Sequence, residues 1–180
     1  MKAAPPAASR RKSLLFLARF LALLVAFYLL VAWNPVNDAV VVPFTSAIAR
    51  VSGALLGAVG EKVTVVGTEI RSGAFAVQIE NGCNGVEAAL LFGSAVLAFP
   101  ASWKRRVAGL AAGFAAIQAL NLVRVVSLFW IGAHRPSLFD SSHTVIWQSA
   151  VVLASVLLFL FWASREPPTG EEGEAAGREA

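Results

Sequence analysis

The chain has 180 residues, of which 57% are hydrophobic, with 15 Lys and Arg against 11 Asp and Glu. Soluble domains average about 45–50% apolar residues; the excess here sits in long runs, which excludes an ordinary soluble globule and points to an integral membrane protein. A net charge of +4, not spread as a basic footprint, argues against a nucleic-acid partner, and a single cysteine excludes an internal disulfide framework.

In chain order, residues 1–13 read as a polar, disordered tail. A membrane-crossing helix needs about 20 mostly apolar residues, and residues 14–33, "LLFLARFLALLVAFYLLVAW", meet that requirement. The run is longer than a signal-peptide core of about 7–15 residues and ends in Trp33-Asn34-Pro35, so it reads as an uncleaved span. The external segment 34–84 follows. Its first part is interrupted by Pro43, Arg50, Gly53 and Gly57 and reads as a surface or partly inserted helix; insertion of 36–60 as a fifth span is the competing reading. Its second part, "KVTVVGTEIRSGAFAVQIENG", holds two β-prone runs around Arg71-Ser72-Gly73 and predicts a small β-hairpin ending just before Cys83.

Three further spans are expected at 85–103, 107–133 and 144–163, followed by a second disordered tail at 164–180. The predicted fold class is therefore an all-α integral membrane protein of about four transmembrane helices, with a small external segment. Arg10, Arg11 and Lys12, then Lys104, Arg105 and Arg106, then Arg165 cluster at alternate span ends. The positive-inside rule puts those ends, and both termini, in the cytoplasm.

Cys83 stands in "IENGCNGVEAALLF", at the outer start of the second span. Asn84 is a residue type that caps helices and Glu87 follows three residues later, so Asn84-Gly85-Val86-Glu87 reads as a capping box. A helix N-terminus carries unpaired N–H groups and partial positive charge, which favours a thiolate and lowers a cysteine pKa. A small buried filler is the alternative role for this thiol. Arg124 lies inside the third span, where a charge costs several kcal/mol and defaults to a functional hypothesis; an ion pair with Glu87 is the structural alternative. Asn121, one turn below, is placed to hold Arg124 or to bond across helices. His143 precedes the fourth span on the same expected face, and His134 ends the third. Thiol, imidazole and guanidinium are the groups that acyl transfer needs. One cysteine and two histidines lack zinc-like spacing, so no metal and no cofactor is expected.

These motifs resemble those of the exosortase/archaeosortase family. Cys83-Asn84-Gly85 matches that family's Cys-x-Gly at the start of one span, Asn121-Leu122-Val123-Arg124 its Asn-x-x-Arg in the next, and His143 its histidine at the start of the following one. Many members have more spans; "NGCNGVEA" is most similar to the compact exosortase H type. The resemblance implies a membrane cysteine protease and transpeptidase that acts through a thioacyl-enzyme, with Cys83, Arg124 and His143 as catalytic residues supported by Asn84, Gly85, Glu87 and Asn121. Its partners would be the bilayer and secreted proteins carrying a C-terminal motif, an apolar helix and a basic cluster, of the PEP-CTERM kind. It implies a cytoplasmic (inner) membrane location with the site on the external face. A non-catalytic subunit for envelope assembly or export, and a lipid-modifying acyltransferase using the same thiol, are the alternatives the residues leave open.

Overall fold

A computed structural model describes residues 7–73 and 75–165; the remainder of the expected tails, 1–6 and 166–180, lies outside the described residues. Helix α1 (Ala7–Ala32) starts seven residues before the expected span, so that part of the expected N-terminal tail is helical. After a break at Trp33 comes α2 (Asn34–Ala58), a continuous helical run with a wide π turn at Asn37–Val41. That turn sits two residues before Pro43, which has no amide proton to continue the regular ladder.

A three-stranded antiparallel sheet follows: β1 (Thr64–Val66), β2 (Glu69–Ser72) and β3 (Phe75–Gln78). The sequence led to one hairpin, but there are two. The additional reversal is at Gly67, whose φ of 61° suits a tight two-residue turn that the β-branched run around it conceals.

Helix α3 (Val86–Ala98) has only 13 residues. Pro100 ends it early, since the residue before a proline is driven out of helical geometry, and Phe99 is extended with ψ 139°. Helix α4 (Trp103–His134) has 32 residues, and α5 (Pro136–Ser164) opens with a 3-10 turn and then a π turn at Ser142–Trp147. Four helices are long and apolar enough to cross a membrane, so this is a multi-pass membrane protein, but they are not the expected four. The run 34–58, expected as a broken surface helix, qualifies, whereas α3 at about 20 Å is shorter than a hydrocarbon core of about 30 Å.

Helices α1, α4 and α5 all pack on α3, which becomes the centre of a bundle. Gly113 of α4 admits the Phe92 ring of α3 where a Cβ would collide with it, bringing the two helices into close contact. One core cluster, with Phe92, Val96, Ile117 and Val151, fills this bundle. A second, with Ile48, Leu56, Ile70, Ile79 and Phe129, joins α2, the sheet and the distal part of α4. Cys83 packs against this second cluster, and the helix that follows its turn contributes Ala88 and Phe92 to the first. Large apolar side chains such as Leu29, Val123 and Phe161 stay exposed, as expected where lipid rather than water is the solvent.

Candidate active site

The turn Glu80–Gly85 carries Cys83 between β3 and α3. It is fixed by its own backbone and by α3. Cys83 N–H donates to the Glu80 carbonyl at 3.0 Å, and Gly82 N–H donates to Oε1 of Glu87 at 2.7 Å. The capping box is thereby corrected. Glu87 reaches back to Gly82 rather than to Asn84, and the position flanking the helix is Gly85, with φ 78°. Asn84 still serves the helix start, one residue earlier than expected: its Oδ1 accepts Val86 N–H at 3.0 Å. Its Nδ2 donates to Thr45 Oγ1 at 2.9 Å, tying the turn to α2.

Gly85 has two reasons to be glycine. Its left-handed backbone disfavours any side chain, and an added Cβ would sit 2.9 Å from Nε2 of Gln118 and 3.1 Å from Cγ of Asn121. Asn121 therefore packs beneath the turn. It forms no hydrogen bond to Arg124, contrary to the expectation from the one-turn spacing.

Arg124 points from α4 into this turn and is 2% exposed. Its Nη1 donates to the Gly82 carbonyl at 3.2 Å, and its Nη2 to Gln148 Oε1 at 3.2 Å and to Cys83 Sγ at 3.5 Å. Among the described residues no ion pair joins Arg124 to Glu87. His143 enters from the π turn of α5, with Nε2 3.0 Å from Cys83 Sγ. The Phe139 ring lies nearly parallel to the imidazole, 11° between planes, with centroids 5.8 Å apart. The structure thus brings Cys83, Arg124 and His143 together from three separate elements. It leaves His134 apart, stacked on Trp130 and 3.6 Å from Glu61.

Burial pushes the Cys83 thiol pKa up; Arg124 pulls it down, and Glu87 and Glu80 add to the rise. The net direction is opposite to the one inferred from the helix N-terminus alone. Desolvation of the sulfur is the largest cause and disfavours the thiolate, and the imidazole at 3.0 Å is the base in reach of the thiol. Among the described residues no cluster of three or more His, Cys, Asp or Glu has metal-binding geometry.

Arg124 also separates two cavities. One, of about 180 Å³, is bordered by Cys83, His143, Phe139 and the end of the sheet. The other, of about 220 Å³, lies between α1, α3 and α5 and is bordered by Tyr28, Glu87 and Gln148.

Residues 7–163 match the family model described as Transmembrane exosortase (Exosortase_EpsH). The chain belongs to the transmembrane exosortase family. No curated protein and no solved structure matches it. In this exosortase the contacts that sequence reading did not find are Gln148, Thr45 and the Gly82 carbonyl. Gln148 had a signal, because it is a lone amide in an apolar run, five residues after His143. That spacing aligns on one side only when the turn is a π turn. Thr45 and Gly82 had none, since both act through long-range pairing.

Proposed function

We propose that this exosortase is a cysteine peptidase and transpeptidase that cleaves C-terminal sorting signals of secreted proteins at the outer face of the cytoplasmic membrane. The observation that carries this reading is Cys83 Sγ at 3.0 Å from an imidazole nitrogen and 3.5 Å from a buried guanidinium.

The chemistry follows from those distances. Nε2 of His143 takes the thiol proton as Sγ attacks the scissile carbonyl carbon. The carbonyl π electrons move to oxygen, and that developing charge is met by Nη2 of Arg124, held in place by Gly82 and Gln148. Collapse restores the carbonyl and expels the amine of the C-terminal fragment, which takes the proton from His143. A thioester remains on Cys83. An acceptor, either an amine or water, then gives its proton to His143 and attacks the thioester, and the thiol is regenerated with its proton. Each step uses only these three side chains.

Two observations favour this over a non-catalytic envelope subunit. Among the described residues Arg124 has no carboxylate partner that would make it a structural ion pair. The thiol, moreover, is half-buried beside a cavity rather than sealed in a core. The test is co-expression with a secreted protein ending in a short motif, an apolar helix and a basic cluster. The wild-type chain is expected to shorten that protein. Cys83→Ala is expected to insert normally and give no product, and unchanged processing by Cys83→Ala would remove the nucleophile from the account.

A further inference from the structure

The cavity that holds Cys83 and His143 touches Val77, Gln78, Ile79 and Glu80, four consecutive residues. Successive side chains of an extended chain point to opposite faces, so a cavity touching four in a row runs along the edge formed by the end of β3 and its continuation through Ile79 and Glu80, and not over one face. Val77 and Ile79 pack into the core with Val125 and Phe129, while Gln78 and Glu80 are exposed.

The register identifies which backbone groups face that edge. Val66 pairs with Glu69 across a two-residue turn, so this is a hydrogen-bonded pair, and bonding alternates from there. Ile70 and Ser72 then turn their N–H and C=O groups toward Val77 and Phe75. Ile79 continues the pattern, with its N–H donating to the Thr68 carbonyl at 2.9 Å. The N–H and C=O groups of Ala76 and Gln78, and the N–H of Glu80, therefore point away from β2. Among the described residues no strand lies on that side. The Glu80 carbonyl is already taken by Cys83 N–H. Proteins usually cover or charge such an edge; here it stays open and leads to the thiol.

Its direction matters too. Phe75 packs on Phe129, with ring centroids 5.5 Å apart, and lies over Gly132, whereas Cys83 lies at Arg124. From Phe75 to Cys83 the chain descends about two turns of α4 toward the bundle.

We infer that the substrate docks as a fourth strand: the residues before the scissile bond pair in parallel with the free edge of β3, and the last of them presents its carbonyl to Cys83. This rests on the proposed peptidase reading. A substrate whose N-terminal part lies outside and whose C-terminal helix lies in the membrane runs in the same direction as β3. Main-chain pairing supplies affinity that tolerates sequence, while the cavity wall of Val77, Val125, Leu128 and Phe139 selects an apolar side chain.

The test uses the full chain in detergent and a synthetic peptide holding the cleaved bond and its apolar helix. Single N-methyl groups are placed on each non-proline residue before the bond. Strand pairing predicts a period of two: alternate positions lose about tenfold in kcat/KM and the interleaved ones stay within about twofold. On the enzyme side, Gln78→Pro removes one edge-facing N–H and is expected to lower kcat/KM by about tenfold while Cys83 is alkylated by a small maleimide at the wild-type rate. Should that variant not fold, the methylation series on the wild-type chain decides. Cleavage with a flat methylation profile overturns strand docking alone, whereas no cleavage of the unmethylated peptide contradicts the peptidase reading itself.

Discussion

Each end of α3 receives an arginine from α4, and the two ends put it to different use. At the C-terminal end Nη2 of Arg106 donates to the carbonyl of Phe99 at 2.9 Å, and the Phe99 ring packs edge-on with Phe16, Phe159 and Trp162. A cation there meets the negative end of the helix dipole and an unpaired carbonyl, so the contact explains itself as a cap. At the N-terminal end Arg124 also donates to a backbone carbonyl, that of Gly82. But this end of the helix is already positive, and the guanidinium is 2% exposed. Capping does not account for a buried cation at that place; the oxyanion proposed to form beside Cys83 would. The same side chain thus stands in two settings, one that capping explains and one that fits the proposed chemistry.

The contrast between the two arginines depends first on the two ends of α3 lying on opposite sides of the membrane. If α3, with the turns flanking it, crosses the bilayer and 34–58 stays on the outer side, reporter fusions at Gly67 and Asp140 read as external and fusions at Lys104 and Gly170 as cytoplasmic; crossing by 34–58 in place of α3 puts Gly67 and Lys104 on one side. An identical readout from Gly67 and Lys104 would remove the contrast altogether. Next in size is Arg124→Lys, which keeps the charge but loses the planar fork that reaches Gly82, Cys83 and Gln148 together. Processing is expected to fall about a hundred- to a thousand-fold, with the thermal midpoint little changed, as read by a cleavage assay and a melt in detergent. The smallest effect belongs to Arg106→Gln. Loss of the cap is expected to cost about 0.5–1 kcal/mol, or a midpoint lower by about 2–4 °C per kcal/mol, with full activity. An Arg106→Gln protein that loses processing while keeping its stability would put both arginines in one class.

Much of this was legible in the sequence because lipid inverts the usual signals. In an apolar chain a buried polar residue stands out, and Cys83, Arg124 and His143 were the residues that no membrane span explains by itself. What was not legible depended on local geometry that composition does not encode. The helix start moved by one residue because Gly85 adopts a left-handed backbone, which turned the expected capping box into a bond from Glu87 to Gly82. Pro100 shortened α3, and the π turns at Asn37–Val41 and Ser142–Trp147 kept helices running where breaks were expected. The rise in the thiol pKa needed the three-dimensional burial of the sulfur, whereas position in the chain showed only the helix end.

In the proposed reaction Cys83 becomes acylated. Rapid acid quenching of enzyme with substrate, followed by proteolysis and mass spectrometry, tests it directly. The peptide bearing Cys83 is expected to gain the mass of the N-terminal substrate fragment less one water, as a thioester that hydroxylamine removes, and to carry more of this adduct when no amine acceptor is supplied. Product formation at the wild-type rate with Cys83 unmodified throughout the turnover would contradict it.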